Sequence, residues 1–129
     1  MVIIDTSAWI EYFNDGSPEI VSKVDHCLDQ KFVGIGDLIY CEIMQGIRSH
    51  KFRNHVSSLL LSLPQFNMVG FEIAEKSANN YRTLRSKGIT VRKTIDVLIG
   101  TFCIENNFQL VHRDSDFDLM ARHLKLSVY

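Results

Sequence analysis

Apolar residues follow two rhythms along this chain: short unbroken runs, and longer segments in which they recur every third or fourth position. The first suits strands buried on both faces, the second helices with one buried face. Val2, Ile3 and Ile4 form the first run, and Asp5, Thr6 and Ser7 end it with side chains suited to a strand end and then a helix cap. A short helix over about 7–13 is predicted next. Pro18 suits a first helical turn, and Ile20, Val21, Val24 and Leu28 recur at helical spacing to about residue 30. Residues 32–35 read as a second strand, punctuated by Gly36. Leu38, Ile39, Ile43 and Ile47 then place an apolar stripe on a helix that Asp37 would cap. Further helices are predicted over about 51–62, over 71–87 with Gly88 as the stop, from a Thr94 cap to about 106, and over 116–124. Short strands are predicted at 67–69, at 108–111 and, along an edge, at 126–128.

Strands alternating with helices indicate an α/β fold: a three-layer domain with a short parallel central sheet flanked by helices and right-handed crossovers. With two prolines and no linker, repeat or low-complexity tract, residues 1–129 read as a single domain. Sites in such sheets lie at the carboxyl ends of the strands.

The charge balance, 14 Lys and Arg against 15 Asp and Glu, lacks the basic excess of proteins that coat nucleic acid, so any such contact must be a local patch. Cys27, Cys41 and Cys103 are odd in number and widely spaced, which suits reduced thiols rather than a disulfide framework or a zinc site. The opening MVIIDTSAWIEYF has no basic leader and meets Asp5 and Glu11 early, so neither a signal peptide nor a membrane span is expected and a cytoplasmic location is.

The acidic residues gain meaning from the predicted topology. Asp5 follows the first strand and Asp114 follows the strand at 108–111, so both fall at the carboxyl edge. Glu42 lies on the helix leaving that edge, about 40° from Leu38 and about 60° from Ile39, inside the buried stripe. Asp96 is in the first turn of TIDVLIGTFCI, a helix apolar nearly all round. Each has a plain structural reading: Asp5 as a helix cap, Asp96 as a complement to the helix dipole, Glu42 as a snorkelling side chain. Together they form a rim of like charges that a hard cation, Mg²⁺ or Mn²⁺, would bridge. Asp114, Asp116 or both complete the rim, with Asp118 expected on a solvated helix face. An EF-hand is excluded, because Leu119 and Lys125 stand where its loop needs Gly and Glu.

VIIDTSAWIEYF, CEIMQGIR around Glu42, TIDVLIGTFC around Asp96 and LVHRDSDFDLM around Asp114 resemble, in order and across the whole chain, the PIN domain, and specifically the VapC-type toxins of prokaryotic toxin–antitoxin pairs. The resemblance implies a Mg²⁺- or Mn²⁺-dependent endoribonuclease. Asp5, Glu42, Asp96 and Asp114 match the family's acidic quartet, Asp116 a fifth acid, and Thr6 and Ser7 the polar residues that order the site. His112 departs from the Thr or Ser that many members carry there, which bears on how Asp114 is held. An antitoxin partner and a toxin homodimer are implied by the resemblance alone.

In such a site cations would activate water and offset charge on the phosphate, and no side-chain nucleophile is required. His26, His50, His55, His112 and His123 lie in no nucleophile motif and are expected at the surface or at caps. Arg82, Arg85, Lys87, Arg92 and Lys93 form an acid-free stretch ending just before Asp96: a phosphate track, or a solvated helix face and loop. Arg48, His50, Lys51 and Arg53 serve RNA or merely join two helices. Trp9, Tyr12 and Phe13 gather aromatic surface on one short helix, either as core or as a docking surface for the implied partner. The alternatives to a nuclease are a receiver-like phosphoacceptor, for which neither a phosphorylatable Asp on a central strand nor a nearby Lys is evident, and a catalytically silent metal-binding interaction module.

Overall fold

The computed structural model describes all 129 residues. In chain order the elements are β1 (Val2–Ile4), α1 (Thr6–Phe13), α2 (Pro18–Asp29), β2 (Val33–Gly36), α3 (Asp37–Gly46), α4 (His50–Leu61), β3 (Gln65–Phe66), α5 (Phe71–Ser86), α6 (Thr94–Asn106), β4 (Gln109–Val111), α7 (Ser115–His123) and β5 (Ser127–Val128). The five strands form one sheet in the order β3-β2-β1-β4-β5, and every pair is parallel. Parallel neighbours need crossovers, and the helices that supply them cover the sheet faces. The expected three-layer α/β arrangement is present.

β1 is central because Val2, Ile3 and Ile4 carry nothing that needs water on either face; all three are buried. The chain builds outward through β2 and β3 on one side, then returns to add β4 and β5 on the other. The direction therefore reverses between β1 and β4, where an open α/β sheet leaves a crevice. Asp5 N–H donates to the Val111 carbonyl at 2.9 Å and stitches the two strand ends together. α6 closes the crevice from one face, with Val97, Ile99, Phe102 and Cys103 in a core cluster that also takes up β1 and Trp9.

Three expectations are corrected. The third strand is Gln65–Phe66, not 67–69. Ile35 N–H reaches the Pro64 carbonyl at 2.8 Å, which fixes the pairing of Ile35 with Gln65, while Met68 turns inward to full burial. Asp37 is the first residue of α3 rather than its cap, which is Gly36; its Oδ1 accepts from Leu38 N–H at 2.9 Å and Met68 N–H at 3.0 Å, holding the chain after β3. Thr94 likewise begins α6 inside the helix, with Lys93 at the cap and no side-chain capping bond. Gly88 does end the α5 segment, at φ 77°. The three cysteines are free, and no helix is long and apolar enough to cross a membrane.

Two glycines test the packing with opposite signs. A Cβ at Gly34 in β2 would lie 2.5 Å from the Phe66 ring, whereas one at Gly46, at the end of α3, would meet nothing within 4 Å. Gly34→Ala is expected to lower unfolding free energy by about 1–3 kcal/mol through overpacking, and Gly46→Ala to raise it by about 0.4–1 kcal/mol through the unfolded chain. Urea denaturation of both variants checks this; a neutral Gly34→Ala would contradict the β2–β3 register.

Candidate active site

The crevice between β1 and β4 is lined with carboxylates. Asp5, 4% exposed, caps α1: its Oδ2 accepts from Ser7 N–H at 3.0 Å and Ser7 Oγ–H at 2.6 Å. Its structural reading as a cap is therefore correct, and it sits at the site as well. Asp114 caps α7 in the same manner, its Oδ1 accepting from Asp116 N–H at 2.9 Å. Asp96, 5% exposed, projects from the first turn of α6, and its Oδ2 is buried with no hydrogen-bond partner. One carboxylate oxygen each from Asp96, Asp114 and Asp116 lie within 4.8 Å of one another. Glu42, half-buried on α3, accepts from Thr6 Oγ–H at 2.8 Å.

Thr6 and Ser7 hold these acids in place. Ser7 Oγ donates to Asp5 and in turn accepts Arg113 N–H at 2.9 Å, which couples the end of β1 to the turn before α7. The Asp114 amide donates to His112 Nδ1 at 3.0 Å, which anchors the turn before α7. Of the surface or cap positions expected for the histidines, His112 does not take the surface one: its side chain is 5% exposed, and its Nε2 lies 3.3 Å from Asp118 Oδ1. Sequence reasoning missed this because burial of a lone imidazole after a strand leaves no periodic trace.

Burial and crowding raise the proton affinity of Asp96 and Asp5. Asp96 is pushed up to about 7, first by burial, then by repulsion from Asp5 and Asp114, with Glu42 adding to it and only Lys93 opposing. Asp5 also lies above the usual carboxylate range because of burial, against the lowering effect of the Ser7 hydrogen bonds. Burial holds His112 below its ordinary value although Asp118, Asp5 and Asp114 favour its charged form. A buried oxygen without a partner costs about 1–3 kcal/mol or more when charged. The clustered donor set is oxygen only, with no thiolate or imidazole in it, and so fits a hard cation such as Mg²⁺ or Mn²⁺ rather than zinc.

The remaining candidates divide. Arg92 and Lys93 are exposed immediately before α6, beside the acids. Arg85 is exposed on α5 and lies over the Tyr81 ring, 5.6 Å from its centroid. Arg53 is tied to the Ile47 carbonyl and to His50, so that part of the second basic group joins α3 to α4. Trp9 is fully buried, stacked on Phe13, and supports the surface from beneath instead of offering itself to a partner. Phe13 does line an apolar groove beside Glu42, together with Ile10, Ile43, Ile47 and Phe52. Ile10 (51% exposed) and Phe52 (39% exposed) were missed, because exposed apolar residues on helices follow no core period. Tyr12 packs edge-on against both Trp9 and Phe13 outside that groove. Arg113, paired with Glu11 at 3.2 Å, is a further missed cation beside Asp114.

Acids at the switch point of a parallel sheet agree with the sequence comparison: the sequence model of the PIN domain matches residues 2–123, and the chain belongs to that family. Within it, the chain is 34% identical over 124 residues to a VapC ribonuclease of Mycobacterium bovis and to ribonuclease VapC11 of Mycobacterium tuberculosis, covering 95% of this chain and 92% of each relative. Its fold is similar to that of VapBC2 from Rickettsia felis, solved bound to a promoter DNA fragment, with TM-score 0.78, 16% identity, and coverage of 100% of this chain and 98% of that one. It is also similar to DNA-bound VapBC from Salmonella typhimurium, with TM-score 0.76, 15% identity, and coverage of 99% and 96%.

The raised proton affinity of Asp96 has a definite sign. Between the ordinary value of 3.8 and about 7 the folded state holds a proton that the unfolded chain has released. The metal-free protein therefore loses stability as pH rises through that window, by up to about 1.4 kcal/mol per pH unit. Asp96→Asn removes this dependence. The difference in unfolding free energy, parent minus variant, is expected to fall from pH 5 to pH 7 and to level off by pH 8, in denaturant melts with EDTA. A pH-independent difference would mean that Asp96 is already charged at pH 5.

Proposed function

We propose that this chain is a metal-dependent endoribonuclease, the toxin of a toxin–antitoxin pair, that hydrolyses RNA phosphodiester bonds. The observation that carries the chemistry is the set of Asp96, Asp114 and Asp116 oxygens around the unpartnered, buried Asp96 Oδ2. A divalent cation held there, Mg²⁺ or Mn²⁺, would lower the pKa of water and offset charge on the phosphate oxygens. Asp5, fixed by Ser7, adds negative charge on the β1 side of that site. Thr6 occupies one Glu42 oxygen and leaves the other free to accept a hydrogen bond from the attacking water.

The histidine nearest the acids has its lone-pair nitrogen, Nδ1, taken by the Asp114 amide, and so offers no base to the RNA 2′-hydroxyl. Cleavage by water is the remaining route and leaves 5′-phosphate and 3′-hydroxyl ends. Arg92 and Lys93, exposed at the head of α6, guide the phosphate backbone past the acids, with Arg85 farther along. The relatives' names support the ribonuclease reading, and the solved neighbours are toxin–antitoxin complexes. The groove of Ile10, Phe13, Ile43, Ile47 and Phe52, which runs beside Glu42, suits an apolar antitoxin segment. Pairing of two toxin copies and a cytoplasmic location complete the proposal.

Incubating single-stranded RNA with Mn²⁺ is expected to give fragments that a 5′-phosphate-dependent exonuclease degrades. Excess EDTA is expected to abolish cleavage, and Asp96→Asn or Asp5→Asn to slow it by at least about 100-fold with the fold intact by circular dichroism. Robust cleavage in EDTA, or 2′,3′-cyclic phosphate ends, would contradict the mechanism. Arg92→Ala with Lys93→Ala is expected to reduce the log–log salt slope of RNA binding by about 0.7 per lost contact. An unchanged slope would move the RNA path elsewhere.

A further inference from the structure

His112 is a buried titratable side chain beside the acids that the proposed mechanism leaves without a role. Its Nδ1 accepts the Asp114 amide hydrogen at 3.0 Å, so that nitrogen carries no proton. The proton is then on Nε2, which faces the Asp118 carboxylate, 3.3 Å from its Oδ1, in an electrostatic contact. The ring packs against Phe117, 5.3 Å between centroids, and Phe117 is itself fully buried. With its one lone-pair nitrogen taken by the Asp114 amide and the side chain 5% exposed, His112 has no ring nitrogen left to ligate a cation. It is held on two sides and from beneath, and what it holds is the Asp114 amide.

The bond from a side chain to the amide two residues on is the geometry of an Asx turn, a role ordinarily filled by Asp, Asn, Ser or Thr. Asp5 makes it to Ser7, and Asp114 makes it to Asp116. In His112 the imidazole Nδ1 stands in for that oxygen. The two turns around Asp114 are consecutive: His112 holds the Asp114 amide, and Asp114 Oδ1 holds the Asp116 amide. Releasing the first loosens both of the acids that meet Asp96. We propose that His112 is a positioning residue whose Nδ1, acting as an Asx-turn acceptor, sets the placement of Asp114 and Asp116 and hence the site's affinity for its divalent cation. The inference rests on the metal-dependent reading given above.

Three variants separate the hydrogen bond from packing and charge. His112→Asn places an amide oxygen where Nδ1 lies. His112→Phe keeps the ring against Phe117 and offers no acceptor. His112→Gln extends an amide toward the Nε2 position, leaves the Nδ1 position without an acceptor, and replaces His112→Phe in the comparison if the latter does not fold. Mn²⁺ titration by calorimetry on the full chain, with circular dichroism of the metal-free proteins, is the measurement. His112→Asn is expected to bind Mn²⁺ within about threefold of the parent, and His112→Phe or His112→Gln about 10–100-fold more weakly, as for lost outer-sphere partners. RNA cleavage by the weak variants is expected to recover at saturating Mn²⁺, since the acids remain present. A His112→Phe or His112→Gln protein with the parent's affinity, or one equalled in weakness by His112→Asn, would overturn the assignment alone. A parent chain that binds no Mn²⁺ would overturn both it and the reading beneath it.

Discussion

Negative charge gathered in a largely buried cluster is the constraint around which this molecule is arranged. Asp5 and Asp96 are almost completely buried, Asp114 and Asp116 partly so, and one Asp96 oxygen has no partner. Such a cluster is unfavourable unless a proton or a cation shares it. The topology nevertheless makes it unavoidable: β1 and β4 end side by side, and α6 begins at the same edge. A fold of parallel strands with a reversal beside β1 delivers these acids to one place, and a rigid apolar core keeps them there.

The hydrogen bonds of the site position charge without neutralising it. Thr6 donates to Glu42, Ser7 to Asp5, and backbone amides to Ser7, His112 and Asp114. Each fixes a side chain or a turn, yet none reaches the unpartnered oxygen of Asp96. That division leaves a preorganised oxygen site whose missing element is positive charge, which a hard cation supplies. Arg113 does not fill the role, being paired with Glu11.

Much of this was legible in the sequence, for physical reasons that also mark its limits. Val2–Ile4 and α6, apolar nearly all round, declare themselves by local pattern, and the positions of Asp5, Asp96 and Asp114 follow from strand order alone. Asp116 was legible as a candidate for the rim, alone or with Asp114; that both come to Asp96 depends on the turn that Asp114 caps. The third strand was misplaced by two residues, since its register is set by a partner distant in sequence, Ile35. Asp37 and Thr94 have capping side chains but lie one residue inside their helices, where extended Gly36 and Lys93 make the boundary. Trp9, Ile10 and His112 show the deeper limit: which face of a short helix is covered, and which polar ring is buried, is decided by packing from elsewhere in the chain.

The central claim is that the buried acids share one exchangeable positive charge, a proton when no metal is present and a cation when one is bound. Calorimetric titration of Mn²⁺ into the protein at pH 6, repeated in buffers of different ionisation enthalpy, counts the protons released on binding. With Asp96 pushed up to about 7, close to one proton per bound cation is expected at pH 6, falling toward zero by pH 8.5. Mn²⁺ binding that releases no proton at pH 6, or no binding at either pH, would contradict it.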